Sequence, residues 1–178
     1  MRVRPTTHRR AIGQFRDGLS SMPGPSTESQ YNDAAMLRIE VMKIDGRCHC
    51  GYVSFEAEAD PETTRVCNCT DCQSMSGAPL RAVIMTQPGT FVLLTGEPTV
   101  YQKTADSGAV RPQGFCPRCG TAIYSTSVGD DPKAYAVRVG ALRQRNELVP
   151  RQQIFFRSRQ TWINNLDSIP KFDKMPPP

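Results

Sequence analysis

The chain lacks any apolar stretch long enough to cross a bilayer. Runs such as residues 82–85 and 91–94 are four residues long, whereas a spanning helix needs about 20. The opening Met1-Arg2-Val3-Arg4-Pro5 leads into no apolar h-region, so an export signal is not expected and the chain reads as cytoplasmic. Histidine is scarce: the two present are His8 and His49, which leaves almost nothing for an imidazole-based centre. No helical periodicity is sustained over a long window and no internal repeat is visible, which excludes bundles, coiled coils and solenoids. An excess of charge is also missing from most of the chain. The net charge is +5, but residues 1–20 alone carry five arginines against a single aspartate, leaving the remainder close to neutral. A basic tail of this kind reads as a solvated, disordered arm. With no recognition motif beside it, it gives no basis for nucleic-acid binding.

What is present is a pattern of short β-rich runs broken by Gly, Pro and Asp. Residues 1–36 hold turn formers such as Ser20-Ser21-Met22-Pro23-Gly24-Pro25 and read as an extension, leaving residues 37–178 as one folded domain. Strands are expected at 38–44, 52–58, 63–67, 81–86, 91–95, 99–103, 121–125, 134–139 and 153–157. Residues 71–75 and the turn near Asp130-Asp131-Pro132 read as short helices. The fold class is mainly β, built from small sheets.

The seven cysteines fall in two sets: Cys48-His49-Cys50 with Cys116-Pro117-Arg118-Cys119-Gly120, and Cys67-Asn68-Cys69-Thr70-Asp71-Cys72. In a reducing compartment such spacings suit metal ligation better than disulfides. The Cys116/Cys119 pair has the two-residue spacer of a zinc knuckle. Pro117 presets its turn, and Gly120 can take the positive φ that lets amides approach sulfur. A redox C-x-x-C would open a helix, whereas Thr121-Ala122-Ile123-Tyr124 continues as a strand. Cys48 and Cys50 are the natural second pair, because residues two apart on a strand share a face. By the same rule His49 points away.

Cys67, Cys69 and Cys72 remain, with no histidine to complete a tetrahedron. Asp71 adjoins Cys72 and reads as pointing elsewhere. The two readings are an open Cys₃ zinc, whose fourth position takes water or a substrate atom, and a second closed site completed by a carboxylate or a neighbouring chain.

The pattern resembles the glutathione-dependent formaldehyde-activating enzyme family, which also includes centromere protein V. The matching stretches are Gly46-Arg47-Cys48-His49-Cys50-Gly51-Tyr52-Val53, Cys67 through Cys72, Ser76-Gly77-Ala78-Pro79, and Gly114-Phe115-Cys116-Pro117-Arg118-Cys119-Gly120-Thr121. Val139-Gly140-Ala141-Leu142, Ser158-Arg159 with Trp162, and Ile169-Pro170-Lys171-Phe172 agree as well. The resemblance spans about residues 44–175. It implies a tent-like β fold and two zinc ions per chain. One would be structural, on Cys48, Cys50, Cys116 and Cys119, and one catalytic, on Cys67, Cys69 and Cys72. It further implies a carbon–sulfur lyase-type activity that joins formaldehyde, or another small aldehyde, to glutathione or a related thiol. A non-catalytic zinc protein that presents a surface to a partner is the alternative.

Two positions depart from the family pattern: Gln153 stands where a histidine is common, and Arg143 where an aspartate is common. Such positions could line the cleft, which bears on substrate identity. Arg81, Lys103, Arg111 and Arg118 are candidates for meeting the carboxylates of glutathione, against the plainer reading of surface charges. Ser76 and Gly77 are candidates for bordering the open position. Trp162 reads as a packing residue of core or rim.

Overall fold

The computed structural model describes residues 40–177. The expected basic extension, and the expected strand start at residue 38, lie outside the described residues. Among the described residues no helix is long and apolar enough to cross a membrane.

Three strands, β1 (Met42–Arg47), β2 (Ser54–Ala59) and β5 (Val92–Thr95), form a small sheet in the order β1-β2-β5. Seven others form a second sheet. In spatial order they are β10 (Gln152–Ile154), β3 (Arg65–Cys67), β4 (Arg81–Met85), β9 (Ala136–Arg138), β8 (Ala122–Ser125), β7 (Val110–Phe115) and β6 (Thr99–Thr104). Neighbours run antiparallel except β10 and β3, which are parallel. The mainly β expectation holds.

Alternation decides which face each strand buries. In β2, Phe55, Ala57 and Ala59 are buried while Glu56 and Glu58 face out, the period-2 pattern of a one-sided strand. These side chains share a core with Ile44, Ile84, Val137 and Leu142. Phe91 knits the aromatic part of it, with ring centroids 5.5 Å from Phe55 and 4.5 Å from Tyr135. With Ile84 and Val137 turned into the core, the intervening residues Val83, Met85 and Ala136 are left on the opposite face of the large sheet. There they line a cleft.

Three local expectations need correction. Residues 110–115 form β7 although Pro112 and Gly114 interrupt its pattern. Gly114 is required there: a Cβ on it would lie 2.4 Å from the Tyr124 ring. We expect Gly114→Ala to destabilise the domain by about 1–3 kcal/mol in denaturant titration, since overpacking forces the ring or the strand to move. Residues 130–132 form a loop, bent at 131–132, instead of a helix, in keeping with the bias against helix that Pro132 places on Asp131. The last expected strand stops at Ile154, because Phe155 turns to a left-handed φ of 53° and 3₁₀ turns follow at Phe156–Ser158 and Thr161–Ser168.

Candidate metal centres and the adjoining cleft

The Cys48/Cys50 pair lies in the turn that follows β1, not within a strand as its spacing suggested. Cys48 N donates to Val53 O at 2.9 Å, and Gly51, at φ 79°, donates to Cys48 O. A second turn of the same kind joins β7 to β8, where Gly120, at φ 73°, donates to Cys116 O at 2.9 Å. The two turns are pinned together by His49 N donating to Thr121 Oγ1 at 3.1 Å. Cys48 Sγ lies 3.5 Å from Cys50 Sγ, and Cys50 Sγ lies 3.8 Å from Cys116 Sγ. Cys119 completes the group, with all four sulfurs within 4.8 Å of one another. Sulfurs about 2.3 Å from a tetrahedral ion stand about 3.8 Å apart, so this set fits a metal and is too open for disulfides. The Val53 amide also donates to Cys48 Sγ at 3.2 Å, the kind of support that steadies thiolate charge. His49 is exposed and outside the group.

Cys67, Cys69 and Cys72 come together over one β–α junction. Cys67 ends β3, and Cys69 caps helix α1 (Thr70–Ser76) by accepting from Cys72 N at 3.4 Å. Cys67 Sγ is 3.5 Å from Cys69 Sγ and 3.2 Å from Cys72 Sγ. These sulfurs too could hold one ion. The hydrogen bond from Cys72 is the main reason the Cys67 thiol is held down to about 5; the Arg81 charge adds to it and burial opposes it. The same bond raises Cys72. Asp71 is not part of the set, because its carboxylate pairs with Lys103. Burial opposes the charge on Lys103, but Asp71 outweighs it and lifts the ammonium's pKa.

The two groups differ in what surrounds them. The four-sulfur group ties hairpins from different sheets and leaves no ligand missing. The three-sulfur group forms one wall of a cleft of about 510 Å³. Four basic side chains line that cleft: Arg65, Arg81, Lys103 and Arg111, with Asp71 and Asp106 as the acids. Three of the four cations singled out in the sequence therefore converge beside the three-sulfur group. Arg118 does not: its guanidinium stacks 3.6 Å over the Tyr52 ring. Gln153 and Arg143 line other hollows, and Arg143 pairs with Asp45 at 2.7 Å, so neither departure touches the cleft. Ser76 Oγ donates to Cys72 O at 2.6 Å, and Gly77 takes the left-handed helix cap at φ 61°. Neither lines the cleft. Trp162 is half exposed, which rules out the core and leaves the rim.

Sequence reasoning passed over Gln113 and Arg138, both buried on the cleft side of the sheet. Arg138 Nη2 donates to Gln113 Oε1 at 2.8 Å. A signal existed, since Arg138 is a charge set between Val137 and Val139 in an apolar run.

The model of the family described as glutathione-dependent formaldehyde-activating enzyme matches residues 43–158. A protein of Rhodobacter sphaeroides with a known crystal structure is similar at 23% identity, with a TM-score of 0.44, covering 57% of this chain and 88% of its own. None of the curated proteins matches the chain. The family match takes in all seven cysteines, both sulfur groups and the whole lining of the cleft, and the chain belongs to the glutathione-dependent formaldehyde-activating enzyme family.

Proposed function

We propose that this chain is a zinc-dependent carbon–sulfur lyase-type enzyme that forms and cleaves a glutathione–aldehyde adduct, S-(hydroxymethyl)glutathione being the simplest. The observation that carries the reading is the three-sulfur group opening onto a cleft lined by four basic side chains. In this reading Cys48, Cys50, Cys116 and Cys119 hold a structural zinc, and Cys67, Cys69 and Cys72 hold a second. A zinc held by three thiolates supplies a soft fourth position that favours thiolate over thiol and can draw charge from a carbonyl oxygen.

The residues of the chain do the rest. Arg111 presents a forked donor suited to a carboxylate of the tripeptide, while Arg81, across from Cys67, and Lys103, paired with Asp71, stand nearer the cysteines. The cleft volume falls in the range of small-molecule sites, about 300–1,000 Å³. Val83, Met85, Ala134 and Ala136 give it an apolar floor for the methylene portions. Addition forms one C–S bond, moves the carbonyl π pair onto oxygen, and transfers the thiol proton to that oxygen through solvent. No oxidant or reductant is consumed. By holding the thiol end among the cysteines and the carboxylates on the basic rim, the cleft converts a bimolecular encounter into a positioned one.

The test is exchange NMR on formaldehyde and glutathione at equilibrium. The proposal requires faster interconversion of free aldehyde and adduct with zinc-loaded protein than without it. An unchanged rate would contradict it and favour a non-catalytic zinc protein. Within the same assay, Arg111→Gln is expected to raise the KM for glutathione about tenfold with little change in kcat, the size of one lost charge-assisted hydrogen bond.

A further inference from the structure

Arg138 is 7% exposed, yet among the described residues no carboxylate pairs with it. Its one polar partner is Gln113 Oε1, and its Nε and Nη1 have none. Arg81 reaches the same oxygen with Nη1 at 3.5 Å and leaves its own Nε without a partner. A buried guanidinium with no counter-charge is strongly disfavoured, and two that share one neutral acceptor repel each other. Burial and the neighbouring Arg81 together push Arg138 down to about 9, and the charges of Cys72 and Cys67 work in the opposite sense.

Register shows where the missing counter-charge lies. Arg81 on β4 is the direct cross-strand partner of Cys67 on β3. Arg138 on β9 pairs with Val83, which places it diagonal to Arg81 on the same face of the sheet. Gln113, from β7, closes the row from the other side. The row therefore runs from the cysteine group through two cations to the carboxamide oxygen that both of them reach.

We propose that Arg138, positioned by Gln113 and acting with Arg81, is the built-in counter-charge of the Cys67–Cys69–Cys72 group and sets how tightly that group holds its metal. The inference rests on the reading of that group as a metal site. Three thiolates around a divalent ion carry a net charge of −1, and the buried cation offsets it without occupying a ligand position. Arg138 is thus a positioning residue; it touches neither metal nor substrate.

The experiment is a competition titration of the full chain with zinc and a chromophoric chelator, resolved into two affinities, with cobalt(II) spectra as a second readout. Arg138→Met is expected to weaken the three-cysteine site by about 10- to 100-fold, the usual effect of losing an outer-sphere partner. The four-cysteine site should stay unchanged, and Arg138→Lys should recover most of the loss. Gln113→Glu keeps the shape but places a carboxylate on Arg138, so it should weaken the same site alone. It also serves if Arg138→Met fails to fold. Wild-type affinities at both sites in Arg138→Met, or in Gln113→Glu where only that variant folds, would overturn the inference. Equal weakening of both sites would overturn it too. A wild-type chain that binds a single ion would instead overturn the metal-site reading beneath it.

Discussion

Cys116→Ser is expected to unfold the domain. Cys116 is fully buried at the end of β7. Its group draws two ligands from the turn after β1 and two from the turn before β8, so an ion there joins the small sheet to the large one. Structural zinc sites contribute about 10–16 kcal/mol of apparent binding free energy, comparable to the whole stability of an ordinary domain, about 5–15 kcal/mol. A serine hydroxyl is a poor zinc ligand and would also leave a polar group in a pocket built for sulfur. The measurement is thermal melting by circular dichroism. We expect Cys116→Ser to be unfolded at 25 °C or to melt more than about 10 °C below the wild type, and a strong chelator to do the same to the wild type. A melting point within a few degrees of the wild type would show that the sheets hold without this group.

Cys69→Ser should have the opposite profile, with activity lost and fold kept. Cys69 is only half buried and stands at the N-cap of α1, where its sulfur accepts from Cys72 N. Serine is a favoured N-cap, so the helix keeps its acceptor. The Cys67 and Cys72 sulfurs stay in place, but the metal site drops to two thiolates. Because losing an outer-sphere partner alone costs about 10- to 100-fold, loss of a ligand should cost at least that and return the exchange of aldehyde and adduct to its uncatalysed rate. The melting point should move by no more than a few degrees. Full exchange activity in Cys69→Ser would remove the three-cysteine group from the reaction.

The sorting of the seven cysteines into two groups was largely legible in the sequence, because ligand spacing is a local property. A two-residue spacer brings Cys116 and Cys119 onto one turn, and Cys67 to Cys72 span a single β–α junction. The pairing of Cys48 with Cys50 was also legible, though for a different reason: a glycine-closed turn brings the sulfurs together, not a shared strand face. Long-range placement was much less so. Nothing local distinguishes Arg118, which stacks on Tyr52, from Arg81 and Arg111, which line the cleft. That difference depends on which strand neighbours which, and β7 itself was hidden by Pro112 and Gly114. Phe155 shows a further limit. Its left-handed backbone at the cleft wall is held by surrounding structure against its own preference, so local propensity gave no hint of it. The buried charge of Arg138 was visible as an anomaly in an apolar strand, but its relation to Gln113 and the cysteines emerged only from sheet order.

Native mass spectrometry of the folded wild type, Cys69→Ser and Cys119→Ser tests the central claim most directly: one sulfur group builds the fold and the other serves the cleft. The account predicts two zinc ions on the wild-type chain, one on a folded Cys69→Ser chain, and an unfolded charge-state distribution for Cys119→Ser. A folded wild-type chain with one zinc, or two variants equally unfolded, would contradict it.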